Sequence, residues 1–209
     1  MIRPGEQLEN PVTGEVMIFH ETAAESGGEL VRVETIVQPE GFVAAAHVHP
    51  AQTERFSVLE GTVEFRVGGE TIRASAGDEV VVPPGTPHRF RNDGGEEARF
   101  LMEVRPALKF ESLIETMFTL AADGKTGKHG LPGPFRLAVI AREHFDTVRL
   151  PFPPAPLQRA ALAVGAPLGR ALGYKPTVER PQTREDSRIA RGRGYDRGRP
   201  HGSPTRRPT

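Results

Sequence analysis

The sequence predicts a mainly β protein: a small antiparallel barrel over residues 1–106, a helical extension over 107–174 and a disordered basic tail over 175–209. Three observations lead there. Short β-prone runs separated by Gly, Pro and Asn turns fill the first half of the chain, the pattern of a small barrel or sandwich. After Pro106 the apolar residues recur at helical rather than strand spacing. Beyond Tyr174 the chain is Arg, Gly, Pro, Thr and Ser with few apolar residues, a composition that cannot bury a core.

Taken in order, residues 1–15 are polar, with turn signals at Pro4-Gly5 and from Asn10-Pro11 to Gly14, and are expected to wrap the barrel. Strands are predicted over 16–20 and 29–37; in the second, Val31, Val33, Thr35 and Val37 form the apolar set that should face the core. Strands 53–59 and 62–67 flank the short Glu60-Gly61 turn, and Gly68-Gly69 marks a two-residue hairpin leading to strand 71–74. Strands 79–82, 87–91 and 98–104 complete the β region. From Lys109 to Asp123 the apolar positions Phe110, Leu113, Ile114, Met117, Phe118, Leu120 and Ala121 predict an amphipathic helix that needs a partner surface. A Gly- and Pro-rich break precedes a second helix over 135–145, and Pro151, Pro153, Pro154 and Pro156 make a stiff connector. A third helical segment, 157–172, is interrupted by Gly165, Pro167 and Gly169 and is too short in apolar residues to span a bilayer. It is expected to pack on the barrel or on a partner subunit.

Composition removes several kinds of chemistry. With no Cys there is no disulfide, thiolate nucleophile or thiolate metal site, so any metal must be held by nitrogen and oxygen. The N-terminus lacks the basic and apolar stretches of a secretory signal, and no run of eighteen apolar residues occurs, so a cytoplasmic protein without a membrane span is expected. The 27 basic and 27 acidic residues cancel, but ten Lys or Arg against four acids from Lys175 onward leave the tail at +6 and the body at −6. The Arg191–Arg199 run resembles arginine-glycine segments that bind RNA loosely, but a passive extension is the favoured reading, because Arg is the default basic residue throughout the chain.

The chemistry concentrates in two stretches. His47 and His49 lie two apart, which on a β-strand sends both imidazoles from one face, and Glu54 follows where the next strand begins. Two imidazoles and a carboxylate are a ready first set of ligands for a divalent metal, and His88, after the Pro84-Gly85 turn, supplies a fourth. Gly41, His47, His49, Glu54 and Gly61, then Gly77, Pro83, Gly85, His88 and Asn92, resemble at their full spacing the two motifs of the cupin family. The resemblance implies a single-domain cupin, a double-stranded β-helix or jelly-roll barrel, holding one metal by His47, His49, Glu54 and His88. It puts Fe or Mn first, with Ni, Cu and Zn also suited to such ligands, and it implies pairing into a homodimer.

Alternation with Glu54 and His88 predicts Phe56, Val58 and Phe90 on the inner face, joined by Phe65, Phe100 and Met102 as the pocket for a small-molecule substrate or ligand. No further Lys, Tyr or His is predicted to point inward; His20, His129, His144 and His201 are expected to be solvated or capping. An apolar pocket around a metal favours a dioxygenase-like oxidoreductase acting on a small apolar or aromatic molecule. A non-catalytic ligand-binding module is the alternative, and a sugar isomerase or epimerase, which needs polar inward groups, a further one.

Overall fold

The computed structural model describes residues 2–180. Its strands are β1 (Gln7–Asn10), β2 (Glu15–Glu21), β3 (Val31–Val37), β4 (Thr53–Glu60), β5 (Thr62–Val67), β6 (Glu70–Ser75), β7 (Glu79–Val82), β8 (His88–Arg91) and β9 (Ala98–Arg105). Every pairing between them is antiparallel, in a six-stranded sheet ordered β1-β2-β3-β9-β4-β7 and a three-stranded sheet ordered β6-β5-β8. The two sheets share one core but no hydrogen-bonded ladder joins them among the described residues, so the expected barrel is realised as an open two-sheet jelly roll. The chain passes from the larger sheet to the smaller at Gly61. Its φ of +71° suits glycine, and a Cβ there would stand 2.7 Å from the Glu97 carbonyl oxygen.

Burial follows the sequence pattern where alternation was strict. Along β3, Val31, Val33, Thr35 and Val37 are buried and the residues between them are half-buried, as predicted. Between the sheets Phe56, Phe65, Phe90 and Phe100 pack with ring centroids 5.0–6.4 Å apart, mostly edge-to-face or tilted. Two local predictions need correction. The polar N-terminal segment is not simply a wrap, because β1 pairs with β2 as an edge strand. The segment carrying His47 and His49 is not a regular strand: it forms only isolated bridges, Phe42 with Arg91, His47 with His88, and Val48 with Arg149.

The extension forms α1 (Phe110–Ala122), α2 (Pro134–Glu143) and α3 (Ala155–Ala171). Phe110 and Phe118 of α1 enter the core cluster, which supplies the partner surface its apolar face required. Pro134 begins α2, where its missing N–H costs nothing. α3 runs unbroken through Gly165, Pro167 and Gly169, contrary to the interruption predicted. The glycines serve packing instead: a Cβ on Gly165 would touch Ala138, and one on Gly169 would collide with the Phe135 carbonyl oxygen on α2. Residues 175–180 lie along the body, with Val178 N–H donating to Thr116 Oγ1 at 3.1 Å and Arg180 donating to the Gln7 carbonyl at 3.0 Å. The rest of the predicted tail, including Arg191–Arg199, lies outside the described residues. No helix among the described residues is long and apolar enough to cross a membrane.

Candidate metal centre

The four predicted ligands come together from three places in the fold. His47 and His49 stand on the loop before β4, Glu54 is the second residue of β4, and His88 opens β8. A reciprocal backbone bridge joins the loop to β8: His47 N–H donates to the His88 carbonyl at 3.0 Å and His88 N–H to the His47 carbonyl at 2.9 Å. A second bridge, between Val48 and Arg149, pins the same loop to the helical extension. One donor atom from each of the four side chains lies within 4.8 Å of all the others. His49, Glu54 and His88 are buried and His47 is half-buried.

Each imidazole is oriented from behind. Nδ1–H of His47 donates to the Ala45 carbonyl at 2.8 Å, that of His88 to the Thr86 carbonyl at 2.9 Å, and that of His49 to both Gln52 Oε1 at 2.9 Å and the Thr147 carbonyl at 2.7 Å. With Nδ1 as donor, a neutral ring turns a bare Nε2 lone pair inward. His49 Nε2 lies 3.3 Å from Glu54 Oε1, and His88 Nε2 lies 2.6 Å from Glu54 Oε2. Yet His49 Nε2, His88 Nε2 and Glu54 Oε2 make no hydrogen bond of ordinary geometry in the protein. Buried lone pairs facing one another without protons between them repel; a shared cation removes the repulsion and satisfies all of them. The donor set therefore fits a divalent metal.

Electrostatics agree with that fit at Glu54 and His47. Burial alone would raise the Glu54 carboxyl, but the charges of His49, His88 and His47, together with the His88 interaction, outweigh it and hold the group at about 2. His47 is pushed down to about 3 by burial and by the like charges of His88 and His49. For His88, burial lowers the value, but the adjacent Glu54 carboxylate overrides it and raises the group above its ordinary value. At neutral pH Glu54 is thus an anion and His47 a neutral donor.

The centre opens into a cavity of about 470 Å³ lined by both sheets, the ligand loop and the extension. Of the predicted pocket residues, Phe56, Phe90 and Met102 line it. Val58, Phe65 and Phe100 do not; they are buried in the core cluster. Alternation set all six on the inner face, but only Phe56, Phe90 and Met102 of that core also border the cavity. The opposite wall comes from the extension, through residues such as Phe110, Ile114, Met117, Leu137 and Ile140. The amphipathic spacing of α1 was the signal for that wall, though it did not say that the covered surface was a cavity.

Several polar residues were missed. His144 is the C-cap of α2 but is fully buried on the cavity wall rather than solvated, and burial pushes it down to about 4. Glu15 and Asn10, from β2 and β1, also line the cavity. Gln52 and Thr147, which orient His49, carry no local sequence signal, Thr147 being 98 residues away along the chain.

Comparison with known proteins agrees with this architecture. Residues 33–104 match the cupin domain family. The chain therefore carries a cupin domain over those residues. Among curated proteins, a polyketide synthase protein, CurC of Streptomyces cyaneus, is 39% identical over 78 residues, covering 37% of this chain and 50% of that protein. Quercetin 2,3-dioxygenase of Bacillus subtilis is 33% identical over 66 residues, covering 32% of this chain and 20% of the enzyme. The chain thus spans half or less of the length of these two relatives. Among solved structures, an RmlC-like cupin from Shewanella frigidimarina is 20% identical with a TM-score of 0.45, over 51% of this chain and 88% of that one.

Proposed function

We propose that this chain is a mononuclear metal-dependent oxidoreductase, dioxygenase-like, acting on an oxygenated aromatic molecule held in the apolar cavity. The observation that carries the reading is the joint placement of His47, His49, Glu54 and His88 in the wall of a cavity whose remaining lining is mostly apolar. Bound there, iron or manganese would supply Lewis acidity and redox chemistry. The protein's own residues do the rest. The four ligands hold the ion, and Ala45, Thr86, Gln52 and Thr147 fix the imidazole orientations. Phe56, Phe90, Met102 and the helical wall exclude water and receive the aromatic body. The similarity to quercetin 2,3-dioxygenase supports an aromatic substrate with vicinal oxygens.

The test is oxygen uptake by protein loaded anaerobically with Fe(II) or Mn(II), using flavonols and hydroxyanthraquinones as probes. Uptake dependent on both metal and probe, and abolished in His49→Ala, is expected; no uptake with any probe overturns the oxidative reading. A second reading, ligand binding or non-oxidative processing of a polyketide-like molecule, is favoured by the similarity to CurC. It predicts probe binding without oxygen consumption. The mostly apolar wall disfavours a sugar isomerase or epimerase.

A further inference from the structure

Two buried polar residues besides the four candidate ligands also line the cavity. Asn10 and Glu15 are directly opposite one another in the β1–β2 ladder, so their side chains leave the same face of the sheet, and both line the cavity. They are 2% and 3% exposed. Asn10 Oδ1 is occupied, accepting the N–H groups of Val12 and Thr13 at 3.1 and 3.2 Å. Glu15 Oε2 accepts the Thr13 hydroxyl at 2.7 Å. Among the described residues no protein group bonds to the remaining atoms, Asn10 Nδ2 and Glu15 Oε1, and no Lys, Arg or His pairs with Glu15.

We propose that Glu15, with Asn10 beside it, reads a hydroxyl or carbonyl oxygen of the cavity's ligand, selecting aromatic or polyketide-like molecules that carry oxygen both at the metal end and at this second position. This rests on the cavity being the ligand site. A carboxyl buried in an apolar wall without a cation is costly unless another group uses its free oxygen. The β1–β2 turn uses Asn10 Oδ1 and Glu15 Oε2, which leaves Glu15 Oε1 and both Asn10 amide N–H groups free. Burial raises Glu15 to about 8, with Thr13 opposing, so at neutral pH it carries a proton and can donate as well as accept. Side by side, the amide's two N–H groups and the acid's O–H offer donors, and the acid's free oxygen an acceptor, in an otherwise oily wall. A carbonyl or phenol oxygen matches that pattern, and a hydrocarbon edge does not.

The test uses the full chain loaded with zinc, which does no redox chemistry, and two probes differing in oxygen content: quercetin and the unsubstituted parent flavone. Wild type is expected to bind quercetin more tightly than flavone. Glu15→Met, similar in size and apolar, should lose about tenfold on quercetin and change less than about twofold on flavone. Glu15→Gln, which keeps an amide donor and acceptor, should stay within about threefold of wild type on both. Circular dichroism verifies that the variants are folded. Equal losses on both probes would assign Glu15 to packing, and no loss on either would leave it no role in recognition; each overturns the inference, as does failure of wild type to bind either probe. The oxygen-uptake assay is separate: uptake by a protein whose Glu15→Met variant binds both probes normally sinks only this inference. Selective loss in Glu15→Met without oxygen uptake sinks only the oxidative reading.

Discussion

Gln52 is fully buried between two jobs: its Oε1 accepts from His49 Nδ1, and its Nε2 donates to the Pro106 and Ala107 carbonyls at 2.8 and 3.0 Å. It therefore ties the orientation of one ligand to the chain leaving β9. Removing such an outer hydrogen bond commonly weakens metal affinity by about 10–100-fold. Because the Thr147 carbonyl still accepts from His49, Gln52→Leu should fall at the low end, about tenfold, in a competition titration against a chromogenic chelator. Glu15 has a measurable signature in stability. Its folded pKa is about 8 against an ordinary 4.5, so between those values the unfolded carboxyl has lost its proton while the folded one keeps it. Stability then falls as pH rises from 4.5 to 8, by up to roughly 1.4 kcal/mol per unit, and levels off above 8. Glu15→Gln should abolish that slope in urea denaturation, matching wild type near pH 4 and exceeding it at pH 8.

At the level of elements, the α2–α3 pair depends on the absence of side chains at its seam. Gly169 lets α3 sit against the Phe135 backbone, and Ala166 beside it is fully buried. Gly169→Ala would gain about 1 kcal/mol of helix propensity, but the backbone it meets cannot yield easily, and overpacking of this kind costs about 1–3 kcal/mol. A net loss of stability is expected in urea unfolding. The outer face of α3 leaves Leu157, Val164, Leu168 and Leu172 exposed, spaced seven, four and four apart, a one-sided apolar stripe. That stripe is our proposed homodimer surface: Leu157→Glu with Leu168→Glu should sediment as a monomer at micromolar concentration where the wild-type chain sediments as a dimer. The sequence showed the apolar residues of α3 but misread its glycines as breaks. A local pattern scores glycine for the helix it weakens and cannot know that a second helix lies against it.

At the level of the molecule, the candidate metal centre joins parts far apart in sequence. The ligand loop, β4 and β8 meet there, and the Thr147 and Arg149 backbone links the centre to the extension. A metal that binds only the folded chain stabilises it by about 2.7 kcal/mol at a hundred times its Kd. Adding a chelator to metal-loaded protein should therefore lower Tm, and His49→Ala should show little or no such response in calorimetry. By itself the sequence determined the alternation that buries one face of β3, the helical character after Pro106, and a set of four candidate ligands legible from fixed spacing, because each depends on short-range periodicity or on residue types with few other uses. Only the tertiary structure decided where the cavity ends. Val58, Phe65 and Phe100 share the inner face and the core with Phe56, Phe90 and Met102, but only the last three also border the cavity, which alternation cannot tell. It also placed Glu15, Asn10 and His144 on the cavity wall, since the burial of a polar residue depends on what the rest of the chain stacks above it.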